Sequence, residues 1–132
     1  MEGKCLCETV TIKTIDSDEI EACHCGMCRR WGGGPSLSVN GGSDIEIIGE
    51  HSVTRFVSSK WSERAFCSKC GTHLFFYLKT KNEYFIPVGL IQSKSDFDFK
   101  YQVFIDNKPG YYGFSNETKN LTETQTIEKY TQ

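Results

Sequence analysis

No stretch of this chain is long and apolar enough for a membrane helix. The longest apolar runs, such as Leu74 to Leu78, fall far short of the ~20 residues a span needs. No apolar segment follows Met1-Glu2-Gly3-Lys4-Cys5, so no secretory signal is visible and the cytoplasm is the expected location. Basic residues are not in excess. The net charge of −2 and a pI near 5.9 speak against a nucleic-acid partner. No acidic run marks disorder, no repeat stands out, and no linker divides the chain. The run Gly32-Gly33-Gly34 lacks the Lys-Ser/Thr of a phosphate loop, and its expected role is to let backbone pass close to the site formed by Cys23, Cys25 and Cys28. Nowhere does a long helical pattern appear.

What is present is mostly β. At 132 residues the chain is one domain, able to bury a modest core. Short apolar segments alternate with turn residues. They run through Val10 to Ile12, Ile20 to Cys23, Ser36 to Val39, Ile45 to Ile47, Val53 to Val57, Arg64 to Cys67, Thr72 to Tyr77, Tyr84 to Leu90 and Tyr101 to Ile105. Gly26 to Trp31 reads as one helical turn, ended by the glycines and Pro35. Residues 1–114 carry all the cysteines. Residues 115–132 form a polar tail of the same domain, with Leu121, Ile127 and Tyr130 as its apolar anchors, and it is expected to be loosely held.

The chemistry lies in seven cysteines, all in close-spaced groups: Cys5 and Cys7; Cys23, Cys25 and Cys28; Cys67 and Cys70. In a reducing compartment such a set reads as metal ligands, and an odd number leaves a thiol over in any full pairing. Cys67-Ser68-Lys69-Cys70-Gly71 is a metal knuckle. Residues at i and i+2 of an extended strand point the same way, so Cys5 and Cys7 can complete a four-thiolate structural zinc site. That leaves Cys23, Cys25 and Cys28 one ligand short of a closed site, the pattern of a catalytic zinc. Two zinc ions per chain are expected. His24 sits between two ligands and is sterically unsuited to join them. His51 and His73 stay open as a fourth ligand. The C-x-C-x-x-C spacing does not match ferredoxin iron–sulfur patterns. Arg29 and Arg30 follow the trio directly, placed either to bind a substrate carboxylate or to offset thiolate charge. Trp31 reads as a packing residue.

The order of these groups resembles the glutathione-dependent formaldehyde-activating enzyme (GFA) family, also called the centromere-protein-V family. The matching pieces are Gly3-Lys4-Cys5-Leu6-Cys7, Cys23-His24-Cys25-Gly26-Met27-Cys28-Arg29-Arg30, Ser58-Ser59, Arg64-Ala65-Phe66-Cys67-Ser68-Lys69-Cys70-Gly71, Gly89-Leu90 and Phe104-Ile105-Asp106-Asn107-Lys108-Pro109. The resemblance implies a β-tent of small antiparallel sheets with little helix. It implies a structural zinc on Cys5, Cys7, Cys67 and Cys70 and a catalytic zinc on Cys23, Cys25 and Cys28. It also implies carbon–sulfur lyase chemistry, or the reverse joining of a small thiol such as glutathione to a small aldehyde such as formaldehyde. Three departures from the family pattern are visible. Glu8 stands where glycine is usual, Tyr111 and Tyr112 stand where a tryptophan is usual, and the run from Trp31 through three glycines to Pro35 is not the commonest form. The alternatives are a zinc-stabilised binding module without turnover and a redox or metal sensor. The general acid or base is left among His24, His73 and Tyr77.

Overall fold

The computed structural model describes residues 1–131. Eleven strands and two helices follow in order: β1 (Glu2–Lys4), β2 (Thr11–Lys13), β3 (Glu19–Cys23), α1 (Gly26–Gly32), β4 (Ser36–Asn40), β5 (Glu46–Ile48), β6 (Val53–Ser59), β7 (Ser62–Cys67), β8 (His73–Leu78), β9 (Glu83–Pro87), β10 (Asp98–Val103), β11 (Lys119–Leu121) and α2 (Glu123–Thr131). The fold is mainly β, in line with the alternating short segments of the sequence. Among the described residues no helix is long and apolar enough to cross a membrane.

Two sheets form. The smaller has the order β1-β2-β5 and the larger β11-β10-β3-β4-β9-β8-β7-β6. The smaller sheet is antiparallel throughout, and so is the larger from β3 to β6. Its other end departs from the antiparallel expectation, because β10 runs parallel to both β3 and β11. An antiparallel bridge between Gly3 and Ile91 ties the smaller sheet to the segment that follows β9. A β-carbon at Gly3 would lie 2.3 Å from the Leu90 carbonyl oxygen, so only glycine lets the backbones approach there. Val10 and Ile12 from the small sheet pack with Val39, Leu74, Phe75 and Ile86 from the large one. Each such buried side chain contributes about 1.5–3 kcal/mol relative to exposure.

The C-terminal segment is docked rather than loosely held. Strand β11 pairs with β10, and Asp106 Oδ1 accepts a hydrogen bond of 2.9 Å from the Glu123 amide at the start of α2. Thr126 is buried against the chain at Phe104, whose amide donates to its hydroxyl. The Tyr130 hydroxyl donates to Glu21 of β3, and its ring meets Phe85 edge-on at 5.7 Å. The apolar anchors understate this docking, for Ile127 is half exposed. Polar contacts hold the helix, and hydropathy does not reveal them.

Candidate metal centres

Cys5 follows β1 and Cys7 lies in the turn after it, not in an extended strand. The Glu8 amide donates to the Cys5 carbonyl, and Glu8 takes a positive φ of 65° to make that turn. Convergence of the two sulfurs therefore comes from a tight turn, not from strand alternation. On the other side, the Gly71 amide donates to the Cys67 carbonyl at 2.7 Å and closes the knuckle, with Gly71 at φ 78°. The four sulfurs of Cys5, Cys7, Cys67 and Cys70 all lie within 4.8 Å of one another.

The Cys5–Cys7 and Cys7–Cys67 sulfur separations are 3.6 and 3.8 Å. A disulfide needs about 2.05 Å, whereas a tetrahedron of zinc–sulfur bonds of about 2.3 Å puts its sulfurs about 3.8 Å apart. Donors face these sulfurs as thiolates require: the Val10 amide is 3.2 Å from Cys5 Sγ, and the Thr72 hydroxyl 3.2 Å from Cys70 Sγ. The Thr72 hydrogen bond holds the Cys70 thiol down at about 5. Burial pushes Cys5 up to about 11. A bound cation removes that penalty by taking the thiolate directly. The donor set fits a zinc ion.

The second group is built by the β3–α1 junction. Cys23 ends β3, Cys25 caps α1, and Cys28 lies in the helix, with its amide 3.4 Å from Cys25 Sγ. A cap acceptor on the helix N-terminus is the usual reason for such a turn, and here a sulfur serves. The sulfurs of Cys23, Cys25 and Cys28 lie within 4.8 Å of one another. No further His, Cys, Asp or Glu atom joins this group among the described residues. No member of this group is exposed, Cys28 being buried and the other two half-buried. Hydrogen bonds from Cys23 and Cys28 favour the thiolate at Cys25, while the same contacts and burial push the Cys23 thiol well up. Three sulfurs competing for protons in this way suit a divalent ion.

The histidines go elsewhere. His73, on β8, stacks on Trp31 of α1 at 4.7 Å, and His51 is exposed beside β6. His24 is fully buried, 2.8 Å from Gln102 Oε1 through Nε2 and 2.7 Å from the Tyr112 hydroxyl through Nδ1. Gln102 Nε2 donates to Thr118, whose hydroxyl donates to Asn120. The chain of donors leaves Gln102 Oε1 as an acceptor. His24 therefore carries its proton on Nε2, and the Tyr112 hydroxyl donates to Nδ1. Burial holds the His24 pKa below the ordinary value, consistent with a neutral ring. Tyr112 thus orients the histidine that lies between Cys23 and Cys25.

Arg29 and Arg30 differ. Arg29 turns back, its Nε donating to the His24 carbonyl at 3.0 Å, whereas Arg30 is exposed. A third arginine is closer to the sulfurs. Arg64 of β7 is buried, with Nη2 3.7 Å from Cys28 Sγ and its guanidinium over the Phe76 ring. The sequence assigns Arg64 no role, and its one local signal is a charged residue beside the apolar pair Ala65-Phe66 in a strand. Strand β7 pairs Arg64 with Phe56 on one side and Phe76 on the other, and pairs Phe66 with His73. Trp31 covers this face through contacts to Phe56, Phe66 and His73. Trp31 is a packing residue here.

Comparison with known proteins agrees with this architecture. A crystal structure of a Rhodobacter sphaeroides protein superposes with a TM-score of 0.59 at 23% identity, over 72% of this chain and 91% of that one, which is a likeness of fold. An uncharacterized lyase of Schizosaccharomyces pombe is 35% identical over 128 residues, 96% of this chain and 93% of that protein. The model of the glutathione-dependent formaldehyde-activating enzyme family matches residues 1–107, a span that holds all three cysteine groups. The chain belongs to that family.

Proposed function

We propose that this protein is a zinc-dependent carbon–sulfur lyase that works on the adduct of a small thiol with a small aldehyde, in the cleaving or the joining direction. The observation that carries this reading is the gathering of Cys23, Cys25 and Cys28 with no fourth ligand residue among the described ones. Zinc held there supplies a place where a substrate thiol binds as its thiolate. Three cysteine ligands already donate much charge, so the site favours sulfur exchange over hydroxide formation.

In the joining direction the thiol sulfur forms a bond to the aldehyde carbon, the carbonyl electron pair moves to oxygen, and the oxygen takes a proton. Cleavage reverses each step. The thiol is of the glutathione type, and Arg30, exposed beside the trio in sequence, is free to pair with its carboxylate. Among the candidate proton carriers, His24 is occupied by Gln102 and Tyr112, and Tyr77 donates to Asn82. His73 stacks on the helix that carries Cys28, and burial and the Arg64 charge keep its ring neutral. It is the remaining carrier to take the proton the thiol gives up and return it to the carbonyl oxygen. Cys5, Cys7, Cys67 and Cys70 hold the structural zinc, giving two ions per chain, and the protein acts in the cytoplasm.

Two substitutions test this. Cys25→Ser retains the fold, loses one of two zinc ions by metal analysis, and no longer turns over a glutathione–formaldehyde adduct. Cys67→Ser fails to fold or aggregates. Equal behaviour of the two variants overturns the division of the cysteines. Retained turnover in Cys25→Ser overturns the role given to the three-cysteine centre, and no turnover by the zinc-loaded wild type overturns the lyase reading and leaves a zinc-stabilised binding module.

A further inference from the structure

Arg64 has an environment that its strand alone does not explain. Its side chain is 5% exposed, and a guanidinium stays charged at any ordinary pH. A buried charge needs a partner of opposite sign. No Asp or Glu oxygen lies within 4.0 Å of it among the described residues. The ring of Phe76, 5.0 Å away, offers a partial compensation. The hydrogen-bond acceptor is Cys28 Sγ. Arg29 and Arg30 do not share this position, the first being turned to the His24 carbonyl and the second exposed.

Three thiolates and a divalent ion sum to one negative charge, the complement of one guanidinium. An added substrate thiolate raises the negative charge further, and a cation at Cys28 lowers the cost of that step. The outer group shows the contrast. Four thiolates there carry more charge, but Cys7 is exposed and water screens it. The inner group has no exposed cysteine and has a cation built in. We propose that Arg64 is the counter-ion of the Cys23–Cys25–Cys28 centre, a positioning residue that selects an anionic sulfur as the incoming ligand. This deepens the proposed function and rests on metal binding at that centre.

The test uses protein loaded with cobalt(II) at both centres, whose sulfur-to-cobalt absorbance reports ligand exchange. Two probes are titrated, 2-mercaptoethanol as a thiolate and imidazole as a neutral ligand. Arg64→Met weakens the thiolate by roughly ten- to a hundredfold, the range of a lost hydrogen bond to a charged group. Imidazole binding changes little, and Arg64→Lys restores most of the thiolate affinity. Equal loss of both probes, or no loss of either, overturns the proposal, because a packing role does not discriminate by charge. Should Arg64→Met not fold, Arg64→Lys is compared with Arg64→Gln, and equal thiolate binding in that pair overturns it. Wild-type protein that takes up only one cobalt ion refutes the metal reading itself, before any variant is made.

Discussion

Glu8 sits at φ 65° in the turn that brings Cys5 and Cys7 together. A side chain there crowds the following carbonyl, at a cost of about 1–2 kcal/mol. Replacing it removes that strain but adds freedom to the unfolded chain. Glu8→Gly is therefore expected to stabilise the zinc-loaded protein by about 1 kcal/mol, seen as a raised midpoint in denaturant. A lowered midpoint would show that the Glu8 side chain contributes more than its backbone costs. The cysteines were legible as residues because ligands of one ion cluster in sequence, and their partition into four and three follows from spacing. Arg64 was not legible. Its contact with Cys28 needs β7 to pair with β6 and β8, and α1 to fold onto that face, none of which is local. His24 was legible only as a poor ligand. Its hydrogen bonds come from Gln102 and Tyr112, both distant in the chain.

At the scale of elements, the alternation of apolar and turn residues revealed the strands but not their order. Strand β10 enters the sheet beside β3, parallel to it, and no local pattern records such an insertion. The docking of α2 was hidden for a similar reason. Its main attachment is a pair of polar groups, Tyr130 and Glu21, together with Lys129 at 3.6 Å from Glu21. Burial raises the Glu21 pKa above the ordinary carboxyl value of 4.5, although Tyr130 and Lys129 oppose the shift. The folded state therefore holds the Glu21 proton to higher pH than the unfolded chain does. The stabilisation from this proton is full below the unfolded value and is lost as pH rises through the folded one. Glu21→Gln keeps an acceptor for Tyr130 and has no proton to lose. Relative to Glu21→Gln, wild-type stability should fall as pH rises from about 4.5 and then level off. Urea unfolding of both proteins across that range measures it. A flat difference would mean that Glu21 is charged in both states.

Across the whole molecule, β7 serves both centres. Successive side chains of a strand alternate between faces, so Arg64 and Phe66 face α1 while Ala65 and Cys67 face the core. The outer four cysteines bring β1 and its turn to the end of β7, and a metal held there would be part of folding. The inner three come from a single junction and cross-link nothing distant. A mild chelator is accordingly expected to remove one ion with circular dichroism unchanged, and the second only together with unfolding. Simultaneous release would mean that the inner centre is structural as well.

The separation of Cys7 from Cys67, sixty positions along the chain, also sets an order in time. As the chain leaves the ribosome, the inner trio is complete once Cys28 has been made, while the outer quartet waits for Cys70. The trio lies within the loop that the outer ion later closes. On the proposed assignment, a nascent chain would offer its exchangeable centre to the cell's zinc before its permanent one exists. Under zinc scarcity, the ion proposed for chemistry would then compete with the ion proposed for folding, on the same polypeptide and in that sequence.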